Sequence, residues 1–125
     1  EILERRAAVA ARYAGLLADV AVDVLLGDDA EHRRSWFVYP VRLAAGIDRE
    51  SLIAELASGG IATSRYLPSI HLQPYMRERF GFAEGMCPVS EEASRSLLAL
   101  PFYTELDESD QEYVIDRLSS ALKRR

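Results

Sequence analysis

The sequence predicts a small α+β domain, with helices on one face of a mainly antiparallel sheet of about three strands. Three observations carry that expectation. The chain has 125 residues, of which 49% are hydrophobic, enough for one core and too few for two ordinary domains. Three short runs, Ser35–Leu43, Ile61–Ser64 and Leu98–Phe102, read as strands. Helical patterns separate these runs and also occupy both ends of the chain.

The elements follow in order. Leu3, Ala7, Ala10, Ala14 and Leu17 recur at alternating spacings of four and three, the seam of an amphipathic helix narrow enough to lie close against a neighbour. The valines at 20, 22 and 24 alternate as in a strand, which leaves Val20–Leu26 open between helix and strand. Gly27-Asp28-Asp29 then marks a turn. "SWFVYPVRL", residues 35 to 43, is rich in aromatic and β-branched residues and predicts a strand. Pro40 cannot donate to a ladder, so the strand is expected to have an edge or a bulge there.

Asp48 can cap a helix that buries Leu52, Ile53 and Leu56 and stops at Gly59-Gly60. Pro74 suits the first turn of a helix, where its missing N–H has no intrahelical partner, and Gly81 ends that helix. Ser90 opens another, with Glu91 and Glu92 at the end of the dipole that favours negative charge. Pro101 stops the strand at Leu98–Phe102. Asp107 opens the last helix, whose buried face is Val114, Ile115, Leu118 and Leu122.

Composition removes several functions. The net charge is -5 with the two signs interspersed, whereas nucleic-acid binding needs a basic face, so no nucleic-acid partner is expected. Cys87 is the only cysteine, which rules out an internal disulfide or a cysteine zinc cluster and suits a reducing, cytoplasmic compartment. No apolar run is long enough to cross a bilayer, and no membrane partner is expected. Two histidines without carboxylates at ligand spacing make a poor metal site, and His32, behind an acidic turn, reads as a solvated loop residue. Neither a G-x-G-x-x-G nor a Walker pattern occurs. The chain opens at Glu1 inside a helical pattern, as part of a longer protein would. It holds fourteen arginines but a single lysine, Lys123, in a basic tail expected to fray.

One stretch stands apart. "RYLPSIHLQPYMRERFG", residues 65 to 81, holds an imidazole, an amide and two phenols around two prolines. Polar groups on a stiffened loop lose little entropy on binding and match the hydroxyl-rich surface of a sugar. The same residues also fit a plainer role, with Tyr75, Met76 and Phe80 as core contacts and His71 as a satisfied helix-entry residue.

"GIATSRYLPSIHLQPYMRERFG", followed by "CPVSEEASRSLLALPFYTELDESDQEYVIDRL", resembles the C-terminal part of the PLP-dependent nucleotide-sugar aminotransferases of the DegT/StrS type. Gly60-Ile61, Pro68, His71, Tyr75, Phe80, the run Leu100-Pro101-Phe102-Tyr103, Asp110, Val114 and Leu118 occupy the places of that family's pattern. "RRAAVAARYAGLL" resembles the helix joining its large and small domains. The resemblance implies the small C-terminal domain of a fold-type I PLP-dependent transferase, with residues 1–19 as the linking helix and 20–125 as the domain proper. It implies an enzyme that moves an amino group, from glutamate, by way of PLP to a keto sugar carried on a nucleoside diphosphate, working as a homodimer. The Schiff-base lysine and the cofactor's other partners would lie in a separate N-terminal PLP-binding domain, so no catalytic residue, bound cofactor or metal is expected here. Tyr66, His71 and Gln73 would touch the nucleotide sugar, with Arg65 as a phosphate contact. The alternative is a free-standing α+β module that binds a ligand or dimerises without catalysis.

Overall fold

A computed structural model describes residues 1–25 and 27–125. Helix α1 (Ile2–Leu16) leads into strands β1 (Val22–Val24) and β2 (Tyr39–Leu43), then helix α2 (Arg49–Ser58) and the two-residue strand β3 (Ser64–Arg65). A 3-10 turn at Ile70–Leu72 precedes helices α3 (Pro74–Phe80) and α4 (Pro88–Ser96), strand β4 (Leu97–Leu100) and helix α5 (Glu108–Lys123). Among the described residues the sheet has four strands in the order β1-β2-β4-β3, all paired antiparallel. The fourth strand, one more than expected, is β1, where the valine alternation was ambiguous; Leu26, at the end of that stretch, lies outside the described residues.

Strand alternation sorts the sheet into two faces. On β2, Tyr39 and Val41 pair in register with Leu100 and Leu98 of β4 and Leu43 pairs with Val22 of β1, and Tyr39, Val41, Leu43, Leu98 and Leu100 join one buried cluster with α1, α2 and α5. Pro40, Leu97 and Ala99 alternate to the other face, which carries the chain from Tyr66 to α4. On its β1 side, β2 is paired only at Val41–Leu43, so at Pro40 it is an edge strand and the missing donor interrupts nothing there. The expected strand from Ser35 begins only at Tyr39, because Trp36 takes a positive φ of 24° that an extended chain does not allow.

The helix signals hold with one rotation and one earlier start, since α4 opens at Pro88 behind Cys87 and not at Ser90. Asp48 caps α2 by accepting from the N–H groups of Glu50 and Ser51, and Asp107 caps α5 by accepting from that of Asp110. Gly81 ends α3 in the left-handed region at φ 68°. Along α1 the buried face is Val9, Ala10, Tyr13 and Leu17, whereas Ala14 and Leu3 of the expected seam are exposed. Tyr13 is the reason: it is fully buried, stacks obliquely on Tyr39 at 5.0 Å and donates to the Pro101 carbonyl at 2.8 Å. Gln111 of α5 donates to the Val9 carbonyl at 3.0 Å, which ties the two terminal helices. Ile61 fills the core without joining the ladder, and β3 starts at Ser64. The C-terminal tail, expected to fray, is tied to α2, where Arg124 and Arg125 both pair with Glu55, Arg125 at 2.8 Å.

Candidate functional site

The loop between β3 and α3 is built by short-range bonds. Ser64 pairs with Ala99 and Arg65 with Leu98, so Arg65 belongs to the helix-covered face of the sheet and Tyr66, one residue on, to the opposite face. Pro68 stiffens the chain, which then closes a 3-10 turn through Leu72 N–H to the Ser69 carbonyl and Gln73 N–H to the Ile70 carbonyl. Ser69 is buried, with its hydroxyl 3.2 Å from that of Ser90 on α4, which fastens the loop to that helix.

Two concavities meet at Tyr66. One, about 460 Å³, runs from Tyr66, Leu67 and Pro68 past His71 and Met76 to Cys87, Ser90 and Leu97. The other, about 410 Å³, continues from Tyr66 to Pro40, Trp36, Phe37 and the exposed Arg33 and Arg34. The guanidinium of Arg34 lies over the Trp36 ring at 5.3 Å, and Trp36 stacks on Tyr39 at 5.4 Å. A tryptophan side chain held inward, with two arginines beside it, suits an anion attached to a flat or apolar group.

His71 is fixed at the back of the first concavity. Its Nε2 lies 2.8 Å from Oε1 of Glu91, and the side chains are only 11% and 3% exposed. The carboxylate is held from several directions: Gly85 N–H donates to its two oxygens at 2.9 and 3.0 Å and Cys87 N–H donates at 3.2 Å. The backbone N–H of Gly85 and the His71 ring hold the Glu91 carboxyl below its ordinary value, so it is ionised at neutral pH.

Of the four residues singled out from the sequence, the fold brings Tyr66 and His71 together on one concavity. Gln73 sits exposed at the junction of the 3-10 turn and α3, beyond the lining of that concavity. Arg65 points the other way and forms a bidentate pair with Glu50 of α2 at 2.8 and 2.6 Å. Glu91 was read from the sequence as a helix-start charge. It does accept from the N–H of the capping residue, Cys87, but its bond to His71 spans twenty positions and left no local signal. His32 is the solvated loop residue expected, exposed and bonded to Asp29 at 2.9 Å. Among the described residues no cluster of metal-binding side chains occurs and no helix is long and apolar enough to cross a membrane.

The residues present do not fit PLP. A covalent anchor needs a lysine in a dry or electropositive pocket. Lys123 is exposed on the last turn of α5, and the cavities around Tyr66 contain no lysine.

The fold of this chain is shared with solved aminotransferases. A DegT DnrJ EryC1 StrS aminotransferase from Brucella abortus is 31% identical over 95% of this chain and 31% of its own, with a TM-score of 0.79. The aminotransferase TlmJ from Streptoalloteichus hindustanus is 28% identical over 98% of this chain and 32% of its own, with a TM-score of 0.84. At 22% identity, covering 98% of this chain and 32% of its own, a proposed sugar aminotransferase from Streptococcus pneumoniae in its PLP form shows the same fold, with a TM-score of 0.90. The model of the DegT/DnrJ/EryC1/StrS aminotransferase family matches residues 1–119, and the chain belongs to that family. It spans about a third of the length of these solved relatives.

Proposed function

We propose that this chain forms one wall of the substrate site in a larger PLP-dependent aminotransferase, which moves an amino group from glutamate to a keto sugar on a nucleoside diphosphate. The observation that carries the reading is the placement of Tyr66 and His71 on one concavity, in a chain that belongs to an aminotransferase family. Residues 1–19 would link to a large PLP-binding domain and residues 20–125 would form the small domain. The full protein would work as a cytoplasmic homodimer, without nucleic-acid or membrane partners.

In this reading the cofactor supplies the electron sink for amino transfer. The residues here bind and orient. The Tyr66 hydroxyl and the His71 ring would meet sugar hydroxyls, and their apolar faces would pack against the sugar ring. Gln73 would complete the rim from the end of α3. Arg65 could reach a phosphate only by leaving Glu50, so its contribution would be an exchange of one anion for another. The test is to load the full-length protein with PLP, reduce with borohydride and map the adduct by peptide mass. The reading expects the modified lysine outside residues 1–125. A stoichiometric adduct on Lys123 would overturn it.

A further inference from the structure

We infer that Glu91 is a positioning residue, which holds the neutral His71 ring in the Nε2–H tautomer so that Nδ1 is offered to the concavity as a hydrogen-bond acceptor. The argument starts from the carboxylate. Glu91 is 3% exposed, and a buried carboxylate must be satisfied by donors. Gly85 N–H and Cys87 N–H are fixed donors by their chemistry. An ionised carboxylate has only acceptor sites. The proton in the contact of 2.8 Å with His71 must therefore lie on Nε2.

A neutral imidazole protonated at Nε2 has its lone pair at Nδ1. His71 lines the concavity it shares with Tyr66, so in its neutral form the ring receives a hydroxyl hydrogen at Nδ1 and does not donate one. The clamp is rigid. The Gly85–Cys87 segment leads directly into α4, where Cys87 is the capping residue and Pro88 sets the first turn. Gly85 itself takes a φ of 90°, a conformation that a residue with a Cβ rarely adopts. The Ser69–Ser90 contact fastens the other side of the same loop to the same helix. The ring can neither flip nor tilt without breaking the carboxylate's set of donors.

The use made of the acceptor rests on the substrate-wall reading above, and the experiment separates the two. Full-length protein labelled with 15N-histidine is studied by NMR at alkaline pH, the His71 signals being assigned by their loss in His71→Ala. The wild type is expected to show the Nε2–H pattern, and the Nδ1–H pattern would overturn the inference without any Glu91 variant being made. Glu91→Gln keeps the shape, and its carboxamide oxygen, in the Oε1 position where Gly85 N–H, Cys87 N–H and the ring converge, still accepts from Nε2–H, whereas Glu91→Leu removes the acceptor. The ring is expected to stay Nε2–H in Glu91→Gln and to gain a measurable share of Nδ1–H in Glu91→Leu, and an unchanged Nε2–H pattern in Glu91→Leu would overturn the inference.

In Glu91→Leu the keto-sugar half-reaction is expected to slow on the order of tenfold, about the worth of one hydrogen bond, with the glutamate half-reaction unchanged. The double variant with His71→Ala should be no slower than His71→Ala alone, since Glu91 acts only through the ring. A mixed tautomer in Glu91→Leu with unchanged sugar turnover would uphold the clamp and remove His71 from the substrate site, which counts against the functional reading alone.

Discussion

Two tyrosines packed against each other show how much a hydroxyl's partner matters. Burial pushes the Tyr13 phenol well above its ordinary value, yet its hydroxyl donates to the Pro101 carbonyl. The Tyr39 phenol is pushed up to about 12 by burial, and its hydroxyl is buried without a hydrogen-bond partner among the described residues. Tyr13→Phe is therefore expected to lower the unfolding free energy by about 1–2 kcal/mol, while Tyr39→Phe should cost less or nothing. Urea unfolding of the two variants checks the order. Both phenols are neutral in the folded state with raised values, so their contribution is whole below the ordinary value of 10.0 and is lost as pH climbs through the folded ones. Alkaline unfolding should set in above that value, and in Tyr39→Phe it should shift to higher pH. None of this was legible in the sequence. The chain's letters show six tyrosines, and only the three-dimensional arrangement separates a satisfied hydroxyl from an orphaned one.

Caps and breakers were the most legible features among the elements, because each acts within four residues. Asp48, Asp107, Pro74 and Gly81 do what their chemistry dictates at their own positions. Gly81→Ala is expected to destabilise the chain by about 1 kcal/mol, since an L-residue at that left-handed φ carries the Cβ clash that glycine avoids. Asp48→Ala should cost a similar amount, about 1 kcal/mol, through the lost cap of α2; thermal unfolding of both variants measures it. The seam of α1 was harder to read. Alanine fits either a buried or an exposed helical face, so alanine spacing alone could not choose between the faces flanking Ala10. The larger Val9 and Tyr13 decided the matter by filling the space before Tyr39 and α5. The start of β2 depended on Trp36, whose positive φ has no signature in a run of β-formers. In the candidate site, the residues themselves showed a prolyl-stiffened polar loop, and it was the resemblance that singled out Tyr66 and His71 on it. The direction of Arg65 was legible only once the register of β3 was known, because one step along a strand turns a side chain to the other face.

For the whole molecule, the core that carries the stability and the proposed substrate wall lie on opposite faces of the sheet. Leu118 is fully buried where α5 meets the sheet and the other helices, and Leu118→Ala is expected to cost about 2–5 kcal/mol in chemical unfolding. Acid should loosen the molecule through three carboxylates. Arg65 holds Glu50, Arg124 and Arg125 hold Glu55, and Gly85 N–H with His71 holds Glu91, each below the ordinary value of 4.5. With depressed folded values, their contribution is whole above the ordinary value and is lost as pH falls through the folded ones. Circular dichroism against pH should show the loss there, with Glu55→Gln shifting its onset by releasing the C-terminal tail from α2. The proposed substrate wall is on the opposite face, where the cavities around Tyr66 lie apart from the helical core. The central claim is that this face receives the sugar and not the amino donor. It is tested most directly by single-turnover measurement of the two half-reactions in full-length His71→Ala and Tyr66→Phe. Each variant is expected to slow the keto-sugar half by up to about tenfold, as the loss of one hydrogen bond to a neutral group implies, and to leave the glutamate half at its wild-type rate. Equal losses in the two halves would assign Tyr66 and His71 to folding and contradict the account.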